Sequence, residues 1–137
     1  EADKRHLNEG RAQQLITQTL EENGVAYQAG WSVDIDAEEP LQVDMRLEGT
    51  HYGIEWVSPQ DRHDYGEAIP SPDPQGLLRI LPGAGEDAQA QLLILDYEAY
   101  RYDPDPDRVR AGATSIRDVE GRLQRDVRDF LVHIDRL

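Results

Sequence analysis

A predicted β-hairpin between residues 41 and 58 constrains the fold of this chain more than any other segment. Apolar and polar residues alternate on both sides of Gly49 and Thr50, and glycine at the first central position suits a type II′ turn. With these two residues as the loop, the apolar cross-strand pairs are Leu47 with Tyr52, Met45 with Ile54, and Val43 with Trp56. We expect these side chains to form one face that packs against a helix.

The same register sets two acids against each other on the opposite face. Asp44 faces Glu55, and Arg46 faces Gly53. Opposed carboxylates are costly unless a proton, a cation or an arginine compensates them. Asp44 and Glu55 could therefore share a divalent cation, Mg²⁺ or Ca²⁺, that activates water against a phosphoester. The alternative, which antiparallel sheets usually show, is a solvated face on which Arg46 lies diagonal to Glu55 and neutralises it.

The charge balance limits the partners that this chain can bind. Its 28 acidic residues outnumber 14 basic ones, which gives a formal net charge of −14 at pH 7. Such a charge repels nucleic-acid phosphates and anionic lipid, so we expect no broad nucleic-acid or membrane surface. A basic protein is the partner that this charge favours. Lys4 is the only lysine, a bias that we attribute to a bacterial or archaeal source with a GC-rich genome or a salty habitat.

Length and cysteine content set further bounds. The 137 residues fit a single domain, residues 1–137. The absence of cysteine excludes disulfides, thiolate metal sites and cysteine nucleophiles, and it leaves the compartment open. No apolar run reaches about 18 residues, so we expect a soluble chain without a transmembrane helix. The chain begins at Glu1 instead of Met, and export with removal of a targeting segment stays open.

Two segments have the spacing of amphipathic helices. The first runs from about Asn8 to Asn23 with Gly24 after it, and the second runs from Ile116 to Asp135. The remaining elements are short strands at residues 25–27 and 31–35, the hairpin, a helix or strand at 77–81, and a buried central strand at 92–95 that continues to Tyr102. This order predicts an α/β or α+β fold with a central, mostly antiparallel sheet of four to five strands flanked by the N-terminal and C-terminal helices.

Two polar segments outside the hairpin could carry chemistry. His63 lies in a predicted loop after the second hairpin strand and could act as an acid, a base or a ligand, or the loop could be a plain surface turn. Asp103, Asp105 and Asp107 have the spacing that opens an EF-hand loop, but Arg108 and Thr114 stand where glycine and glutamate are required. They are a weaker candidate for Ca²⁺, and a stiff charged turn is the alternative.

The order of elements, with Asp44 and Glu55 on adjacent hairpin strands, resembles the core of the restriction-endonuclease-like, or PD-(D/E)XK, superfamily. In that family two acids and a lysine two residues after the second acid bind metal and orient water. The resemblance implies that Asp44 and Glu55 match the two acids. The chain departs from the motif at the third position, where Val57 replaces the lysine.

Two functional classes follow from these observations. The preferred one is a non-catalytic, acidic binding or accessory protein with a basic protein partner and no cofactor. The alternative is a metal-dependent phosphoester hydrolase of nuclease type, in which Asp44 and Glu55 hold the metal and Arg46 and His63 are further catalytic candidates. Val57 and the net charge weigh against the hydrolase, whereas the opposed acids weigh for it.

Overall fold

The computed structural model describes residues 4–136. In that part of the chain the helices are α1 (Glu9–Glu22), α2 (Pro59–Tyr65), α3 (Pro106–Arg110) and α4 (Ile116–His133). Each helix begins at a polar side chain that accepts a hydrogen bond from a main-chain amide of the first turn. These caps are Asn8, Ser58, Asp105 and Ser115. Both predicted long helices are confirmed within about two residues at each end.

The strands form one large sheet and one small pair. The strands are β1 (Arg5–His6), β2 (Tyr27–Val33), β3 (Leu41–Leu47), β4 (Tyr52–Val57), β5 (Arg79–Pro82), β6 (Gln91–Asp96) and β7 (Arg101–Tyr102). A two-stranded sheet joins β1 and β7, and the main sheet has the order β2-β3-β4-β6-β5. Among residues 4–136, only β4 and β6 pair in parallel within the main sheet. The chain is therefore a single α+β domain with a five-stranded, mostly antiparallel sheet, as the sequence predicts.

Apolar side chains cover both faces of the sheet. Along β6, Leu93 and Leu95 belong to the cluster that packs against α1 and α4, and Leu92 and Ile94 belong to a second cluster on the opposite face. The second cluster is completed by segments that leave the sheet, including Ile69. This double burial explains why β6 is apolar at every position between its ends, as expected for an interior strand.

The hairpin register is confirmed at its centre and wrong at its open end. Met45 pairs with Ile54 and Arg46 pairs with Gly53, but the ladder between β3 and β4 stops there. Val43 belongs to the second cluster, whereas Trp56 belongs to the cluster under the helices. The predicted pairing of Val43 with Trp56 on one face is therefore wrong.

A glycine in β2 with a left-handed backbone lies at this change of face. Gly30 has a φ of +82°, in the left-handed region that favours glycine. The register of β2 with β3 places Gly30 across from Asp44, because Ala29 pairs with Met45 and Trp31 with Val43. At this point the apolar side chains of both strands move from one face of the sheet to the other. Alternate residues on either side of the change therefore no longer lie on the same face.

Two further segments differ from expectation. Residues 59–65 form helix α2 instead of a loop, because serine at the cap, proline at the first position and aspartate at the third favour a helix start. The strand predicted to continue from residue 95 to Tyr102 is broken by a 3₁₀ turn at Tyr97–Ala99. The side chain of Asp96 accepts the Glu98 amide at the start of that turn.

Among residues 4–136 we find no helix whose length and apolar character would let it cross a bilayer.

Candidate functional site

Asp44 and Glu55 meet where the ladder between β3 and β4 ends. The Asp44 amide donates to Glu55 Oε1 at 2.9 Å, and the Trp56 amide donates to Asp44 Oδ2 at 2.8 Å. Each carboxyl group thus accepts a hydrogen bond from a main-chain amide of the neighbouring strand. In a regular ladder a main-chain carbonyl would accept that hydrogen bond. We call this pair the carboxyl clip. It holds the diverging strands together where backbone pairing has stopped.

Burial determines the protonation of the carboxyl clip. Glu55 is only 1% exposed, and this burial, with the charges of Asp44 and Asp61, raises its pKa to about 11. Burial also raises the pKa of Asp44, although the Trp56 amide and the Gln13 side chain partly oppose that rise. Glu55 is therefore a neutral acid at pH 7.

Two helices bring further polar groups to the clip. From α1, the Gln13 side chain lies near enough to Asp44 to oppose the rise of its pKa, and Glu9 has a pKa raised by burial and by the charges of Asp44 and Asp61. From α2, Asp61 lies near enough to Glu55 for its charge to raise the pKa of that carboxyl. Asp44 and Glu55 are expected as site residues from the sequence, whereas Gln13, Glu9 and Asp61 are not.

Asp61 could have been found from its local sequence. It occupies the third position of α2, where its carboxylate accepts the Ser58 amide while its own amide donates to Ser58 Oγ at 3.1 Å. This reciprocal pair is a capping box, and Ser58-Pro59-Gln60-Asp61 has its spacing. The start of α2 therefore fixes an acid beside Glu55.

One oxygen of each acid in the carboxyl clip is occupied by a main-chain amide. No group of three or more His, Cys, Asp or Glu side chains in residues 4–136 has the arrangement to hold a metal ion. Asp44 and Glu55 already accept main-chain amides, and a ligand carboxyl must lose its proton before it binds metal. Val57, where the PD-(D/E)XK motif has lysine, is fully buried in the second cluster.

Arg46 and His63 do not join Asp44 and Glu55. Arg46 donates to the Thr50 carbonyl at 2.8 Å, and its guanidinium lies 4.4 Å from the centre of the Trp31 ring. The expected neutralisation of Glu55 by Arg46 on a solvated face is therefore wrong, because Glu55 is buried and neutralised by a proton. His63 is exposed and stands two residues after Asp61, a spacing that places the two side chains on different sides of a helix.

The aspartates at 103–107 have structural partners. Asp103 accepts Arg108 Nε at 2.6 Å and the Asp105 amide at 2.9 Å. Asp105 caps α3 through the Asp107 amide. These contacts lower the pKa of Asp103, chiefly through Arg108. The stiff charged turn that the sequence suggested as the alternative here is therefore a capped helix start with an ion pair.

A cavity of about 240 Å³ lies between the proline-rich segment 70–79 and α4. Inside it, the Tyr100 hydroxyl donates to Asp126 Oδ2 at 2.5 Å, and burial followed by the charge of Asp126 raises the pKa of Tyr100 well above its usual value. The Arg122 guanidinium covers the Tyr100 ring at 5.2 Å and donates to the Ala99 carbonyl. Arg125 pairs with Asp126 at 3.4 Å. The charged groups of this cavity therefore bind one another.

A second concave surface is strongly acidic. A groove of about 510 Å³ lies between the loop after β2 and helix α2, and it is lined by Ala37, Glu38, Glu39, Pro40, Gln42, Asp64 and Tyr65. The Tyr65 hydroxyl donates to the Pro40 carbonyl at 2.9 Å and ties the two walls together. We call this surface the acidic groove. Its three carboxylates face solvent, and its lining includes no lysine or arginine.

One wall of the acidic groove, residues 37–42, belongs to a longer segment without basic residues. Residues 12–45 contain seven acids and no lysine or arginine. The ion pairs formed within residues 4–136 all join acids outside this segment.

Comparison with protein-family models, curated proteins and solved structures finds no match to this chain.

Proposed function

We propose that this chain is a non-catalytic binding protein whose partner is a basic polypeptide. The observation that carries the proposal is the run of seven acids in residues 12–45, none of which forms an ion pair with a basic residue of the described chain. Elsewhere several arginines pair with nearby acids, as Arg11 does with Glu120 at 2.8 Å. The exposed acids of this segment therefore keep their negative charge for an external partner.

The acidic groove gives this surface a shape as well as a charge. Glu38, Glu39 and Asp64 line a concavity into which an arginine or lysine side chain fits, and the Tyr65 ring offers an apolar wall to the stem of such a side chain. A surface of one charge sign also accelerates encounter with an oppositely charged protein. These features support recognition of a cationic segment.

The hydrolase alternative has one observation in its favour. The charges of Asp44 and Asp61 raise the pKa of both Glu9 and Glu55, so these four acids lie close together. A hydrolytic site also needs ionised ligands and a base that can accept a proton from water. Glu55 carries a proton at pH 7, and Arg46 stays protonated and cannot act as a base. These facts weigh against catalysis by this group of residues.

A charge-matched comparison tests the binding function. The probe is a twelve-residue arginine-rich peptide, titrated by calorimetry into the full chain. The groove variant Glu38→Gln/Glu39→Gln/Asp64→Asn removes three carboxylates from the acidic groove. The control Glu86→Gln/Asp129→Asn/Asp135→Asn removes three carboxylates from other parts of the chain that are likewise exposed and form no ion pair within residues 4–136. Both variants have the same net charge, so any difference between them reports position.

We expect the groove variant to weaken peptide binding at least tenfold and the control to weaken it about twofold, because close charges act more strongly than distant ones. Equal losses of peptide affinity in both variants would show that binding depends on net charge alone. That result would contradict a specific binding surface. A plasmid-nicking assay with Mg²⁺ and Mn²⁺ accompanies the titration. Metal-dependent nicking that is lost in Asp44→Asn would make the hydrolase the leading interpretation.

A further inference from the structure

The two edges of the main sheet differ in how they are protected. The β5 edge is four residues long and contains Arg79 and Pro82, and a charge and a proline are both features that discourage further strand pairing. The β2 edge is seven residues long, and β2 has neither a charged residue nor a proline. Within residues 4–136 β2 pairs only with β3. Although 31% of the residues in the chain are charged, this seven-residue edge carries no charge that would discourage a further strand from pairing with it.

The middle of β2 leaves its backbone accessible. Gln28, Ala29 and Gly30 are exposed, and the space where a Cβ of Gly30 would lie has no heavy atom within 4 Å. Glycine in a strand often marks a place where another backbone approaches closely. Next to it, Trp31 is half-buried and held by Arg46, so an added segment would meet a fixed aromatic ring.

Exposed acids stand at both ends of this edge. At the start of β2, Glu21 accepts the Tyr27 hydroxyl at 2.9 Å, and the Glu48 amide donates to the Ala26 carbonyl at 2.9 Å. At the other end Asp34 and Asp36 follow the strand directly. A second copy pairing antiparallel about Gly30 would bring the Glu21 end of one chain against the Asp34 end of the other. Such like-charge contacts oppose a homodimer and favour a segment with basic ends.

We propose that β2 is a docking edge to which an extended, uncharged segment flanked by lysine or arginine adds as a sixth strand. Main-chain hydrogen bonds to β2 provide the affinity, and the acids at the two ends select the basic flanks. The inference rests on the proposed function and names the form in which the basic partner is bound.

Three synthetic peptides test this proposal on the full chain. The first is Arg-Lys-Thr-Val-Thr-Val-Thr-Lys-Arg. The second has the same sequence with its five central amides N-methylated, which removes their hydrogen-bond donors. The third has glutamate in place of every lysine and arginine. Calorimetry gives each affinity, hydrogen exchange reports the amides of residues 27–33, and sedimentation velocity reports the oligomeric state.

We expect the first peptide to bind and to slow exchange in residues 27–33 at least tenfold. N-methylation should weaken binding at least tenfold, and the glutamate peptide should not bind. Equal binding of the first two peptides, without slowed exchange in β2, would overturn strand addition while leaving a basic partner in place. If neither of the first two peptides binds, and the arginine-rich peptide also fails to bind, both proposals are overturned. A dimer that protects β2 without peptide would show that a second copy occupies the edge and would also overturn the inference.

Discussion

Glu55 holds a proton at neutral pH because it is buried beside other acids, and this changes how stability depends on pH. Its folded pKa of about 11 lies above the ordinary value of 4.5 that it regains on unfolding. The folded state therefore binds the proton more tightly than the unfolded state. The stabilisation is complete below pH 4.5 and is lost as pH rises toward the folded pKa.

The corresponding prediction compares Glu55→Gln with the wild type. Between pH 6 and 8 we expect the wild-type free energy of unfolding to fall with pH by about 1.4 kcal/mol per unit from this group alone. Glutamine preserves the shape and the neutral state, so its slope should be smaller by that amount. Urea unfolding at three pH values measures both slopes, with Glu98→Gln as an exposed control. A Glu55→Gln slope equal to that of the wild type would show that Glu55 ionises in the folded protein.

The elements of this fold follow from local sequence where side chains dictate backbone geometry. Asn8 and Ser115 cap helices whose apolar stripes are visible in the sequence, and Met45 opposite Ile54 follows from the turn at Gly49. The sequence does not show that β3 changes face at Asp44, because its apolar residues keep a period of two through the change. The carboxyl clip lies at that change of face, so its chemistry was predictable as a pair of acids but not as a structural contact.

A glycine comparison tests this account of the β2–β3 distortion. Gly30→Ala places a Cβ at a φ of +82°, which should destabilise the fold by about 1–2 kcal/mol. Gly121→Ala lies inside α4 with no heavy atom within 4 Å of the added Cβ, and it should stabilise the fold by about 0.5–1 kcal/mol. Chemical denaturation gives both values. A neutral or stabilising Gly30→Ala would contradict the left-handed backbone at this residue.

The whole molecule carries a charge that local ion pairs do not cancel. With a net charge of −14, exposed acids repel one another over a screening length of about 10 Å at 0.1 M salt. We expect the melting temperature to rise with sodium chloride from 10 mM to 1 M, and to rise less in the groove variant, which has three fewer carboxylates. A flat or falling curve would mean that the arginines already compensate the acids, and it would weaken the proposed attraction of a basic partner.

The most direct test of this account is the carbon-13 chemical shift of the Glu55 carboxyl, assigned by its absence in Glu55→Gln. The carboxyl clip holds two strands together and keeps one proton on Glu55. We predict that the shift stays at the value of a protonated acid from pH 5 to 9 and does not change when Mg²⁺ is added. A titration midpoint below pH 7, or a shift that moves with Mg²⁺, would contradict the structural role of Glu55 and favour a metal-binding site.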